Sequence, residues 1–219
     1  SLYAYPPLPI LANQDDTFLA LRSAGLHDDA ARAARLADSL GQYDIPAYVD
    51  YYRLRPRLHT AKTSEIREFL AHYEGSAIAD RLRNDWLLAL GQRGEWEAFE
   101  EQYPRFVVND DTQVKCYALT AKAVKGQAVT ASARELLQTP REYGEACTGL
   151  ITTLLEQKQF DAADVWQQVW LASESNALAV VRKLGKLLGV PERSLAQAID
   201  SPSRVLASGP GSGRNAHEL

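Results

Sequence analysis

The sequence predicts an all-α fold of stacked helical hairpins, on two observations: apolar helical periodicity that halts and restarts at short turns, and a near-constant distance between those turns. In LALGQRGEWEAF (Leu88 to Phe99) the pattern halts at Gly91, passes Gln92-Arg93-Gly94 and resumes at Glu95 and Trp96. Similar breaks fall at Gly25, near His59, at Gly126, near Lys158 and at Gly189. With Arg93 as the turn of the quoted stretch, successive breaks are 34, 34, 33, 32 and 31 residues apart. That is the period of helix-turn-helix repeats, each too small to bury its apolar face alone. Strand-type alternation is missing. The expected architecture is a right-handed α-superhelix, or solenoid, of about five to six hairpins over residues 15–199. A Pro-rich extended lead-in (1–14) precedes it and a Pro/Gly-rich connection (200–219) follows.

Taken in order, the first hairpin is FLALRSAGLHDDAARAARLADSL, with Asp28 placed to cap its second helix. The second is YVDYYRLRPRLHTAKTSEIREFLAHY, with Ser64 as the expected cap, and the third holds the Gly91 break. In the fourth, expected to start at Asp110, Val114, Tyr117, Ala118, Ala121 and Val124 share one helical face. In the fifth, capped by Asp161, Ala162, Trp166, Val169 and Trp170 do the same. In the sixth, Pro191 follows Gly189 at a natural first helical position. The final DSPSRVLASGPGSGRNAHEL loses helical content and then offers Asn215 as a new cap, so the array is expected to continue in a longer parent protein.

The chain has 46% hydrophobic residues, ample for a core, and a formal charge of -4 spread along its length, which argues against nucleic acid as a partner. No apolar run approaches the roughly 20 residues of a membrane span. There is no Met, so a chain beginning at Ser1 is expected to be processed or cut from something longer.

Little in the sequence suggests chemistry. His27, His59, His72 and His217 have no second ligand at metal-binding spacing, and no phosphate loop, G-x-S-x-G elbow or C-x-x-C is present. No metal, cofactor or catalytic residue is expected. The acidic doublets Asp15-Asp16, Asp28-Asp29 and Asp110-Asp111 sit at helix starts, where negative charge complements the helix dipole. Trp86, Trp96, Trp166 and Trp170 lie on or beside apolar faces. RLRPR places Arg53, Arg55 and Arg57 at a turn, the best local candidate for an anionic ligand and otherwise a solvated hairpin end. Cys116 and Cys147 occupy nearly equivalent places on the first helices of successive hairpins. Their spacing leaves open a disulfide or two buried thiols.

Several stretches in order resemble the N-terminal helical domain of the large soluble lytic transglycosylases of Gram-negative periplasms. They are YDIPAYVDYYRLRPRL (Tyr43 to Leu58), FLAHYEGSAIADRLRNDWLLALGQRGEWEAFEEQYPRF (Phe69 to Phe106), DDTQVKCYAL (Asp110 to Leu119) and GEACTGLI (Gly144 to Ile151). The resemblance covers roughly residues 15–206 and implies a disulfide between Cys116 and Cys147, with periplasmic residence. It also implies a parent enzyme that cleaves the glycan between N-acetylmuramic acid and N-acetylglucosamine, leaving a 1,6-anhydro end. In that family a separate lysozyme-like domain performs this step with a Glu-Ser pair and a Gly-Leu-Met-Gln segment. Here Glu174 precedes Ser175, but no Met exists, and the catalytic role is not carried over to Glu174. The expected function is a non-catalytic scaffold whose partners are peptidoglycan glycan strands and a catalytic domain of the same protein. The alternative is a free-standing TPR-like adaptor for protein partners.

Overall fold

Residues 13–200 are described in a computed structural model; the lead-in through residue 12 and the 201–219 connection, with Asn215, lie outside the described residues. Among the described residues there are twelve α-helices and no strand, so the fold is all-α. Short turns pair the helices: α1 (Gln14–Leu26) with α2 (Ala30–Leu40), α3 (Pro46–Leu54) with α4 (Thr63–His72), α5 (Ala77–Gln92) with α6 (Trp96–Gln102). Then follow α7 (Thr112–Val124) with α8 (Thr130–Leu136), α9 (Gly144–Glu156) with α10 (Ala162–Glu174), and α11 (Leu178–Leu187) with α12 (Glu192–Asp200). The chain divides into two compact units, residues 1–89 and 90–219, and α5 contributes residues to both.

Five of the six turns close in one way. Asp28, Gly94, Gly126, Lys158 and Gly189 have φ of 59°, 69°, 86°, 59° and 67°, left-handed values that reverse the chain after a helix. The N–H of the next residue then reaches back to the last helical turn: Asp29 to Ala24, Glu95 to Leu90, Gln127 to Lys122, Gln159 to Leu154 and Val190 to Gly185, at 2.9–3.1 Å. These are the six-to-one bonds that satisfy a helix's orphan carbonyls. The exception is α3 to α4, where a 3₁₀ turn at Arg55–Arg57 prolongs α3 and Ala61 N–H bonds Arg57 O at 2.8 Å.

Several expected boundaries move. Gly25 and Gly91 are helix-interior residues rather than turns, and each removes a Cβ that a neighbouring helix would strike. A Cβ at Gly25 would stand 2.6 Å from the Tyr52 carbonyl oxygen, and one at Gly91 2.3 Å from the Tyr117 ring. Asp28 is a turn residue, and Asp29 is the cap, accepting from Arg32 N–H. Likewise Asp111 rather than Asp110 caps α7, accepting from Gln113 N–H at 2.8 Å. Ser64 lies inside α4, which starts after Lys62 without a side-chain cap. Asp161 does cap α10, in a reciprocal box with Asp164. Val124, placed on the apolar face of its helix, is 54% exposed because that face turns outward at the last residue of α7.

In the first unit, α1 packs on α2 and α3 around Leu21, Ala24, Ala33 and Tyr52. In the second, one continuous core runs from Cys116 through Leu150, Val169 and Leu184 to Ala198. Polar bridges there reach about one hairpin along the chain. Gln159 accepts from Val129 N–H (2.9 Å) and the Thr130 hydroxyl (3.0 Å), and Gln157 donates to Ala123 O at 2.9 Å. Gln168 donates to Leu137 O at 3.1 Å and accepts from the buried Tyr143 hydroxyl. Arg134 holds Asp164 through both carboxylate oxygens.

Two outcomes follow. In Gly25→Ala, helix propensity favours Ala by up to about 1 kcal/mol, but displacing the Tyr52 backbone costs more. A net loss of about 1–2 kcal/mol is expected in urea unfolding, whereas a gain would refute the close approach. Burial alone would push the Asp164 carboxyl up. Hydrogen bonds from Arg134 and the Asp161 backbone, with the Arg134 charge, leave it below its ordinary 3.8. Its folded value being lowered, its contribution is complete above 3.8 and fades as pH falls below it. The stability difference between wild type and Asp164→Asn is therefore expected to shrink on acidification through that range, as followed by thermal unfolding.

Candidate functional site

A cleft of about 440 Å³ opens in the first unit, between α3 and α4. Its walls are two stripes with one spacing. Asp50, Arg53, Leu54 and Arg57 lie at i, i+3, i+4 and i+7 on α3 and its 3₁₀ extension. Glu65, Glu68, Phe69 and His72 repeat that spacing on α4, and Tyr73 completes the lining. Paired helices normally close such stripes with apolar side chains. Here only Leu54 and Phe69 are apolar, both buried, and six charged or imidazole-bearing side chains hold the rest open to water.

Most of those groups are engaged. Arg57 grips Glu65 through two guanidinium nitrogens, one at 3.1 Å. Arg53 donates to Asp38 of α2 at 2.6 Å. Tyr73 donates its hydroxyl to Asp50, and its ring packs on Phe69 (centroids 4.9 Å) and edge-on to His72 (4.5 Å). Burial, then the hydrogen bond to Asp50 and its charge, push the Tyr73 phenol up to about 12, so it stays a donor at neutral pH. Glu68 makes no hydrogen bond or ion pair with a described residue, and both Glu68 and His72 are exposed.

The three arginines of RLRPR therefore separate. Arg53 and Arg57 face the cleft, whereas Arg55 turns to the end of α1, donating to Gly25 O at 2.9 Å and lying 3.6 Å from Asp28 and 3.7 Å from Asp85. All three guanidiniums meet carboxylates, so an anion there must displace one. Glu65, Glu68, Phe69 and Tyr73 were not singled out from the sequence, although their spacing, polar where a core stripe is apolar, was the available signal.

Cys116 and Cys147 come together in the second unit. Their sulfurs are 2.12 Å apart and their Cα atoms 5.1 Å apart, a disulfide between α7 and α9 with both residues fully buried. α9 starts at Gly144, whose φ of 50° favours glycine and which packs beside the Gln113 side chain of α7. Glu174 ends α10 on an exposed surface, where nothing excludes water from its carboxylate.

Among the described residues, no group of three or more His, Cys, Asp or Glu converges to hold a metal ion, and no helix is long and apolar enough to cross a membrane. No protein-family model matches the chain, and no curated protein matches it.

The disulfide closes a loop with a sequence separation of 31. In the chain-entropy treatment such a loop contributes about 3–4 kcal/mol. Replacing both cysteines by Ala is expected to lower stability by at least that amount in non-reducing urea unfolding, and an unchanged midpoint would show that the bond is not formed.

Proposed function

We propose that this chain is a non-catalytic helical scaffold domain of a peptidoglycan lytic transglycosylase, its hairpins stacked as an α-superhelix. It would orient glycan strands, or hold the catalytic domain of the same protein, in the periplasm. The observation that carries this reading is the ordered series of resembling stretches joined to the cysteine geometry. DTQVKCYAL lies on α7 and GEACTGLI opens α9, and their cysteines meet at disulfide distance where the resemblance implies a bond. A disulfide fits an oxidising compartment such as the periplasm. The exposed Glu174 supports the non-catalytic part, since glycan cleavage needs an acid enclosed with its substrate.

The test is to incubate the 219-residue chain with purified peptidoglycan sacculi, then assay the pellet for protein and the supernatant for 1,6-anhydromuropeptides by mass spectrometry. Bound protein without released products is the expected result. Release of anhydro products would overturn the non-catalytic assignment, and absence of binding would overturn the glycan-orienting role and leave that of holding the catalytic domain.

A further inference from the structure

We infer that the α3–α4 cleft is a binding site for an uncharged polyhydroxylated ligand, a saccharide unit. Arg57 is balanced by Glu65 and Arg53 by Asp38, so the guanidiniums act as oriented donors rather than free positive charge. A simple anion entering the cleft meets Asp50, Glu65 and Glu68; a simple cation meets two arginines. With each arginine balanced, Asp50 and Glu68 leave the cleft net negative, which disfavours a free anion; a small cation is the competing occupant, and the putrescine arm below tests it.

A hydroxylated ring suits such a surface, because each of its hydroxyls both donates and accepts. Glu68 and the remaining lone pairs of Asp50 offer acceptors, and the free N–H groups of Arg53 and Arg57 offer donors. Leu54 and Phe69 are buried beneath the cleft, so the apolar surface open to the C–H face of a sugar is chiefly the half-buried Tyr73 ring. The volume, about 440 Å³, lies within the roughly 300–1,000 Å³ of small-molecule sites. Glu68 and His72 lie one turn apart on α4; His72 packs edge-on to Tyr73, whereas the exposed Glu68 has no ion pair with a described residue and is the acceptor a ligand at this site would use. The choice of a sugar among polyhydroxylated ligands rests on the reading proposed above; the cleft and its charge balance do not.

The probe is N,N′,N″-triacetylchitotriose, titrated into the ¹⁵N-labelled chain and followed by amide chemical shifts. Sodium phosphate and putrescine serve as the anionic and cationic arms. Saturable shifts confined to residues 50–73 with the saccharide alone are expected. Glu68→Ala should weaken them about tenfold, the loss expected of one charge-assisted hydrogen bond. Glu74→Ala, exposed on the turn just after α4 and outside the cleft, should leave them unchanged. Both variants alter exposed side chains, so circular dichroism should match wild type. Shifts with phosphate or putrescine but not saccharide, shifts elsewhere, or equal affinity in Glu68→Ala would each overturn the proposal. Sacculus binding without cleft shifts would sink this inference and spare the scaffold reading. Cleft shifts without sacculus binding would spare this inference and overturn the glycan-orienting role.

Discussion

The helical hairpins of the second unit share one buried core, and much of the structure there follows from that sharing. From α7, α8 and the turn between them, Cys116, Ala123, Val129 and Ala133 are buried in one cluster with Leu150, Ile151, Leu154 and Val165 of α9 and α10. Fully burying one such residue contributes about 1.5–3 kcal/mol, so an isolated pair would forfeit most of what offsets its conformational entropy. Polar groups obey the same geometry. Gln157, Gln159 and Gln168 satisfy the backbone of the preceding hairpin, where an unpaired carbonyl or N–H would cost about 1–3 kcal/mol.

Glycine has two separate uses here. At 94, 126 and 189 it supplies the left-handed backbone that ends a helix, while Asp28, Lys158 and Asn176 occupy the same conformation with a side chain attached. Those three carry strain of about 1–2 kcal/mol each, tolerated because each turn also gains a six-to-one hydrogen bond. At 25 and 91 glycine instead thins a helix so that Tyr52 and Tyr117 can pack against its backbone.

The two uses explain what was legible in the sequence. Helical periodicity and the repeat of turns are local, so the all-α class and an expectation of about five to six hairpins could be read directly. A glycine read without its neighbours looks like a turn, and for that reason Gly25 and Gly91 were assigned to breaks that lie at Asp28 and Gly94. The caps slipped by one residue at Asp28 and Asp110 because each begins a doublet of identical carboxylates, only the second of which reaches the helix N–H groups. The cleft was hidden for another reason. Its two polar stripes are visible only when α3 and α4 are laid side by side, and a charged i, i+3, i+4, i+7 series reads alone as a solvated face. RLRPR drew attention as a cluster of charge, but the carboxylates that engage it come from Asp38, Glu65 and Asp85, elsewhere in the chain.

The Cys116–Cys147 bond ties the α7–α8 pair to the α9–α10 pair and leaves α11 and α12 beyond it. In the α-superhelix proposed above, each pair would contact only its neighbours, and opening would spread from an end, one pair at a time. The bond would convert two of those steps into one. Amide protons of α11 and α12 would therefore exchange with solvent through their own local opening, while those of α7 to α10 would exchange together, as a single cooperative block with a common and slower rate.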